Sequence, residues 1–192
     1  MSLPNVGAAV PQRHAPVLQA IARFAFAGSG WRVMGEVPNL SQFVAVGAPH
    51  SSSWDFFLAM MLIFGLGVRV SWLAKHSLFR WPLGGLMRWL GGIAVDRTQR
   101  HHVVEQVINA FASQPQLIVG IMPEGSRKRA GQPVKEWKTG FYYIAKGAKV
   151  PILPLYLNNP TKQVIFGPPL TPTGDIEADL ARLQQFYTGA TL

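Results

Sequence analysis

The feature that most constrains this chain is a regular alternation between short apolar runs and longer segments with apolar residues at helical spacing. The short runs, which predict buried strands, cover residues 43–47, 68–74, 93–95, 117–122, 150–157 and 164–166. The helical pattern covers residues 17–27, 54–64, 81–90, 103–112, 139–146 and 175–187. Strands that alternate with helices predict an α/β fold, a single domain with a mostly parallel central sheet flanked by helices.

The N-terminal part of the chain carries weaker signals. Residues 1–16 show little pattern and include three prolines, so we expect a loose N-terminal arm, followed by one domain over residues 17–192. The first helical segment has one apolar stripe, formed by Val17, Leu18, Ile21, Phe24 and Ala25. This stripe favours an amphipathic helix packed on the domain over one that lies on a membrane. The longest apolar run has 13 residues, 56–68, and a spanning helix needs about 20, so this run predicts a buried helix.

The charge of the chain is strongly positive, with 18 Lys and Arg against 9 Asp and Glu. Thirteen of the basic residues lie between residues 69 and 149, among many aromatic residues. Such a mixture is typical of a surface that contacts an anionic membrane. Two alternatives are single-stranded nucleic acid bound by stacking and a solvated basic face over an aromatic core. The chain has no cysteine, which excludes disulfides, thiolate nucleophiles and cysteine metal sites.

Polar residues follow several of the predicted strands, namely His50, Arg97, Glu124 and Arg127. Sites in open α/β sheets form beyond the carboxyl ends of the strands, so we expect these residues to converge. Asp55 follows His50 by five positions, in the first turn of a predicted helix, where the helix dipole favours a carboxylate. A carboxylate in this position orients an imidazole that takes a proton from a hydroxyl, so the pair indicates general-base chemistry.

Four short motifs, in a fixed order, carry a resemblance to a known family. Residues 50–55 read His-Ser-Ser-Ser-Trp-Asp, 92–97 Gly-Ile-Ala-Val-Asp-Arg, 122–127 Met-Pro-Glu-Gly-Ser-Arg, and 150–154 Val-Pro-Ile-Leu-Pro. Together they resemble the motifs of the glycerolipid acyltransferase family, whose best-known members are 1-acylglycerol-3-phosphate (lysophosphatidate) acyltransferases. The resemblance runs from about residue 44 to residue 155. Met122 replaces the usual Phe, Ser126 the usual Thr and Lys128 the usual Ser, and none of these changes removes a catalytic group.

The resemblance implies a glycerol-3-phosphate acyltransferase-like fold and direct acyl transfer. The donor is acyl-CoA or acyl-carrier protein, and the acceptor is the hydroxyl of a lysophospholipid-like molecule. His50 acts as general base and Asp55 orients it, with no acyl-enzyme, no metal and no cofactor other than the acyl carrier. The resemblance assigns acceptor binding to residues of the second and third motifs: Arg97, Glu124, Gly125, Ser126 and Arg127. Arginine suits a phosphate because its planar fork makes two charge-assisted hydrogen bonds.

Several alternatives stay open at the level of sequence. The acceptor can be a different lyso-lipid, such as a lyso-ornithine lipid, or another alcohol. A non-catalytic protein that binds anionic lipid or nucleic acid explains the basic surface, but it does not need the His50–Asp55 pair. A thioester hydrolase on the same fold is a third possibility. No signal-peptide pattern begins the chain, so we expect a bacterial cytoplasmic protein, peripheral on the inner face of the cell membrane. His101 and His102 lack further ligands at metal-binding spacing.

Overall fold

The computed structural model describes residues 3–50, 52, 54–95, 100–125 and 133–189, with the main chain alone for Lys75, Arg100 and His101. The helices are α1 (Pro16–Gly28), α2 (Trp54–Leu66), α3 (Gly84–Trp89), α4 (Arg100–Ser113), α5 (Gly140–Ala148) and α6 (Ile176–Gly189). The strands are β1 (Arg32–Met34), β2 (Gln42–Ala48), β3 (Ser71–Lys75), β4 (Gly92–Val95), β5 (Leu117–Ile121), β6 (Ile152–Asn158) and β7 (Gln163–Phe166). Single 3₁₀ turns cover His76–Phe79 and Val134–Glu136.

The strands form one sheet in the order β1-β7-β6-β2-β5-β3-β4. Neighbouring strands are parallel except β6 and β7, which are antiparallel. The predicted α/β fold with a mostly parallel sheet is therefore confirmed. The sequence pattern did not predict β1, because a three-residue strand that pairs only with β7 is too short to show an alternation.

Two apolar layers cover the two faces of the sheet. Along β2, Val44 and Val46 point into one core, which the buried sides of α4, α5 and α6 complete. Phe43 points into the other core, which includes residues of α1 and α2. This alternation follows from the two-residue period of a strand, and each fully buried large apolar side chain stabilises the fold by about 1.5–3 kcal/mol.

The segment before α1 packs on the domain, in contrast to the expected loose arm. Leu3 and Val10 are buried in the second core. The main chain of this segment is also paired, since the N–H of Arg13 donates to the carbonyl of Gly67 at 2.7 Å and Gln12 forms an isolated bridge with Val68. The sequence did not indicate this packing, because the two buried apolar residues stand alone in a proline-rich segment and show neither helical nor strand periodicity.

Helix α1 presents its apolar stripe to the outside rather than to the domain. The helix packs on the domain as predicted, but not through this stripe, since Val17, Ile21 and Phe24 are all exposed, Phe24 by 84%. Ala22 and Phe26, on the opposite side, are the buried residues of α1. The helix is therefore apolar on two sides, and sequence periodicity alone does not tell which side faces the core.

Within the described ranges, none of the helices combines the length and the apolar character that crossing a membrane requires.

Candidate active site

His50 and Asp55 meet in the connection between β2 and α2. Strand β2 ends at Ala48, and Asp55 lies in the first turn of α2. His50 Nδ1 lies 3.1 Å from Asp55 Oδ2, and the main-chain N–H of Ser52 donates to the same oxygen at 2.8 Å. Asp55 is 3% exposed, whereas the His50 side chain is 26% exposed.

This geometry gives the imidazole a defined chemical role. A carboxylate accepts hydrogen bonds and does not donate them, so the proton of a neutral His50 ring sits on Nδ1. The lone pair is then on Nε2, which is the nitrogen available to accept a proton from a bound hydroxyl. The ring of His50 is partly exposed and therefore accessible from the surface, whereas its orienting group, the buried Asp55 carboxylate, is shielded from water.

Glu124 lies next to His50, although 74 positions separate the two residues in the chain. Its Oε2 accepts a hydrogen bond from the main-chain N–H of His50 at 2.6 Å, and the side chain is only 1% exposed. Strands β2 and β5 are parallel neighbours, so the residues that follow them meet at the same edge of the sheet. The predicted convergence is thus seen for His50 and Glu124. The contact also assigns Glu124 a positioning role that the sequence did not indicate.

A side chain at Gly125 would have two effects. Its φ angle is +73°, in the left-handed region that side chains disfavour. A methyl group built at Gly125 would also lie 2.7 Å from both Cε and Nζ of Lys138. The turn is further fixed by the main-chain N–H of Lys138, which donates to the carbonyl of Pro123 at 3.0 Å. Lys138 is therefore part of this turn, and the sequence reasoning missed it.

Three predicted acceptor-binding residues, Arg97, Ser126 and Arg127, lie outside the described residues, as does Asp96. Their roles stay predictions. Among the residues that the structure does describe, no group of three or more His, Cys, Asp or Glu side chains is arranged to hold a metal ion. The expectation of a metal-free reaction is untested by this observation.

The site falls within a segment that matches a known family. The family model described as Acyltransferase matches residues 32–158, about two thirds of the chain. This segment contains His50, Asp55, Glu124, Gly125 and Lys138. The chain belongs to the Acyltransferase family. The sequence-based recognition of an acyltransferase is thereby confirmed.

Members of the Acyltransferase family with similar sequences share one name, 1-acyl-sn-glycerol-3-phosphate acyltransferase. The protein from Salmonella typhimurium is 31% identical over 121 residues, which cover 61% of this chain and 47% of that protein. The Escherichia coli K12 protein is 30% identical with the same coverage. The Saccharomyces cerevisiae protein is 27% identical over 132 residues, which cover 67% of this chain and 43% of the relative. The match thus spans about half the length of these relatives.

A solved acyltransferase has a similar fold. The crystal structure of the 1-acyl-sn-glycerophosphate (LPA) acyltransferase PlsC from Thermotoga maritima superposes with a TM-score of 0.62 at 20% identity. The superposition covers 92% of this chain and 77% of the other. At this identity the likeness shows the fold alone, and it agrees with the mostly parallel sheet described above.

Tyr187 is a second residue near the candidate site that sequence reasoning did not find. Its hydroxyl donates to the carbonyl of Val46 at 2.7 Å, four positions before His50. Burial raises the pKa of the Tyr187 phenol well above its usual range, and the negative charge of Glu124 acts in the same direction. Tyr187 therefore supports the end of β2 from α6. The one sequence signal was an aromatic residue on the apolar stripe of the terminal helix.

Several large apolar side chains near the start of α2 and on or near α3 are exposed. Trp54 precedes Asp55 and is 75% exposed, and Phe57 is exposed one turn later. Trp81 is 94% exposed, and further exposed residues lie on or near α3: Leu78, Leu83, Leu86 and Trp89. Large apolar side chains gathered on a surface mark a contact site for a protein or a membrane. We call this group the apolar rim.

Proposed function

We propose that this protein transfers a fatty acyl group from acyl-CoA or acyl-carrier protein to the hydroxyl of a 1-acylglycerol-3-phosphate-like acceptor. The observation that carries the proposal is the contact between His50 Nδ1 and the buried carboxylate of Asp55 at 3.1 Å. Membership of the Acyltransferase family supports the reaction class, and the names of the relatives support the acceptor class.

The proposed reaction is a single displacement without an acyl-enzyme. His50 Nε2 removes the proton of the acceptor hydroxyl while the acceptor oxygen attacks the thioester carbonyl carbon. Asp55 holds the ring and stabilises the imidazolium that forms. The tetrahedral intermediate then collapses, the carbon–sulfur bond breaks, and the imidazolium returns the proton to the leaving thiolate. A general base of this kind contributes about 10²- to 10⁴-fold to the rate. The reaction needs no cofactor beyond the acyl carrier.

The acceptor is bound, in this proposal, by residues that follow β4 and β5. Arg97 and Arg127 pair with the acceptor phosphate, and Gly125 and Ser126 contribute to the same acceptor site. Glu124 contributes to the acceptor site from the position in which it already holds the main chain of His50. The acceptor hydroxyl and the thioester then meet at the partly exposed ring of His50.

The proposed site of action is the inner face of the cell membrane, with anionic lipid as a partner. The formal net charge of +9 favours an anionic surface, where each nearby Lys or Arg contributes about 1 kcal/mol. The apolar rim supplies aromatic side chains such as Trp54 and Trp81, which favour the interface between head groups and acyl chains. Trp54 directly precedes Asp55 in the chain, so this part of the apolar rim lies beside the catalytic pair and lets a lipid acceptor reach His50 without leaving the membrane.

The test is a product assay by mass spectrometry. The purified protein receives palmitoyl-CoA or palmitoyl-acyl-carrier protein and a panel of acceptors in anionic vesicles. The panel contains lysophosphatidate, lysophosphatidylglycerol, a lyso-ornithine lipid and monoacylglycerol. A new diacyl product with lysophosphatidate supports the proposal. Exclusive acylation of the lyso-ornithine lipid overturns the proposal. Release of free fatty acid at a rate that no acceptor changes also overturns it.

A further inference from the structure

Lys138 is anchored to the turn that carries Glu124 and Gly125. It follows the buried residue Trp137, and its main-chain N–H donates to the carbonyl of Pro123 at 3.0 Å. The backbone of Lys138 is thus fixed against the turn that begins directly after β5. The main chain of Lys138 is therefore tied to the turn whose Glu124 carboxylate holds the main chain of His50.

The side chain of Lys138 lies across Gly125. A methyl group at Gly125 would approach Cδ of Lys138 to 2.9 Å, and both Cε and Nζ to 2.7 Å. These distances are too short for carbon and nitrogen atoms that are not bonded, so the Lys138 side chain occupies the space that a side chain at position 125 would fill. The missing side chain of Gly125 thus makes room for an ammonium group beside the turn.

The ammonium group of Lys138 has donors to spare. Within the residues that the structure describes, it makes no hydrogen bond and no ion pair. The nearest carboxylate in the turn, Glu124, is buried and accepts from the main chain of His50. The side chain is exposed, and a lysine ammonium has three N–H donors and no acceptor, so it is solvated by water here and is accessible to an anion.

We propose that Lys138 binds the phosphate monoester of the acceptor and thereby favours phosphorylated over neutral acceptors. This inference rests on the proposed function, which it makes more specific. A phosphate monoester is a compact dianion with strong acceptor oxygens, and lysine meets it as a point charge. The position beside Gly125 fits the acceptor better than the donor, because the same turn holds the main chain of the proposed general base.

The first test measures kinetics of three variants. Lys138→Met keeps the length of the side chain and removes the charge, Lys138→Arg keeps the charge, and Lys135→Met removes an exposed lysine three positions earlier as the matched control. We expect Lys138→Met to raise the KM for lysophosphatidate on the order of 10- to 100-fold, as for a lost hydrogen bond to a charged group. Lys138→Arg stays within a few-fold of the unaltered protein, and Lys135→Met leaves KM unchanged.

A comparison of KM values for the donor and the acceptor distinguishes binding of the acceptor phosphate from binding of the phosphates of CoA. The inference requires an unchanged KM for palmitoyl-CoA in Lys138→Met, and a preference for lysophosphatidate over monoacylglycerol, as the ratio of the kcat/KM values, that falls at least tenfold. A raised KM for palmitoyl-CoA with an unchanged KM for lysophosphatidate would overturn the inference in favour of the donor. Equal KM values for lysophosphatidate in Lys138→Met and Lys135→Met would remove Lys138 from the site.

A binding measurement keeps this inference separate from the proposed reaction. A short-chain lysophosphatidate is titrated calorimetrically into His50→Ala protein, with and without Lys138→Met. Binding that weakens at least tenfold on loss of Lys138 supports the inference even if no acyl transfer is found. If the unaltered protein transfers acyl groups but Lys138→Met leaves the affinity for lysophosphatidate unchanged, the inference is overturned and the proposed function stands.

Discussion

Glu124 Oε2 accepts a hydrogen bond from the main-chain N–H of His50 at 2.6 Å. The bond joins the first and third sequence motifs, which are 74 residues apart, at the edge of two neighbouring parallel strands. A buried carboxylate is costly unless it is hydrogen-bonded, so this pairing stabilises Glu124 and at the same time fixes the chain that carries the imidazole. The position of the main chain that carries the imidazole of His50 therefore depends on Glu124.

Replacing Glu124 tests whether this residue positions His50 or mainly binds the acceptor. We expect Glu124→Gln, which keeps an acceptor oxygen, to lower kcat modestly. Glu124→Ala leaves the His50 N–H without this partner and should lower kcat by about 10²-fold and the free energy of unfolding by about 1–3 kcal/mol. Steady-state kinetics and urea unfolding measure both effects. A raised acceptor KM at unchanged kcat would instead support the acceptor-binding role.

Asp55→Asn tests the orientation of the imidazole. Asparagine keeps the size of the side chain but can donate from its amide, so it permits the ring tautomer with the proton on Nε2, which cannot accept one. We expect kcat to fall by about 10³- to 10⁴-fold, with the far-ultraviolet circular dichroism spectrum unchanged. Near-normal turnover by folded Asp55→Asn protein would mean that the carboxylate is not required to orient His50.

Gly125→Ala tests two effects of a side chain at this position, which are the strain of a positive φ and the displacement of Lys138. The positive φ costs a non-glycine residue about 1–2 kcal/mol, and the added methyl group displaces the end of Lys138. Gly85→Ala is a suitable control, since nothing lies within 4 Å of a methyl group there. Because Gly85 lies in helix α3, alanine should stabilise it slightly. Thermal unfolding should show opposite signs for the two variants, and equal melting temperatures would contradict this account of the turn.

The burial of the Tyr187 phenol predicts that the free energy of unfolding falls at alkaline pH. Burial raises the pKa of its phenol in the folded protein, whereas the unfolded chain ionises near pH 10. The stability contribution is therefore complete below about pH 10 and is lost as the pH rises above it, because only the unfolded state gives up the proton. Tyr187→Phe should flatten the decline of unfolding free energy above about pH 10. At pH 7 it should cost about 1–3 kcal/mol, from the lost bond to Val46.

The sequence predicted those parts of the structure that rest on local patterns. The strand and helix periods gave the mostly parallel sheet, and polar residues directly after strands indicated the meeting of His50 and Glu124. The His50–Asp55 pair was also predictable, because both residues belong to one short connection. Each of these predictions uses residues close in sequence or a general rule about parallel sheets.

The remaining features depend on contacts that no local pattern reports. Lys138 meets Gly125 only because its main chain bonds to Pro123, and Tyr187 meets Val46 across 141 positions. Val10 is buried by packing of a segment without any period. Helix α1 has apolar residues on two sides, so the exposure of Phe24 follows from which side the rest of the chain covers.

The most direct test of the account is the rate of acyl transfer by His50→Ala protein. His76→Ala, which removes an exposed histidine from the turn after β3, is the matched control. Both variants receive palmitoyl-CoA and lysophosphatidate in anionic vesicles, and mass spectrometry follows the diacyl product. The account predicts loss of product formation for His50→Ala, with its fold intact, and a normal rate for His76→Ala. Transfer at a near-normal rate by folded His50→Ala protein would contradict the proposed mechanism.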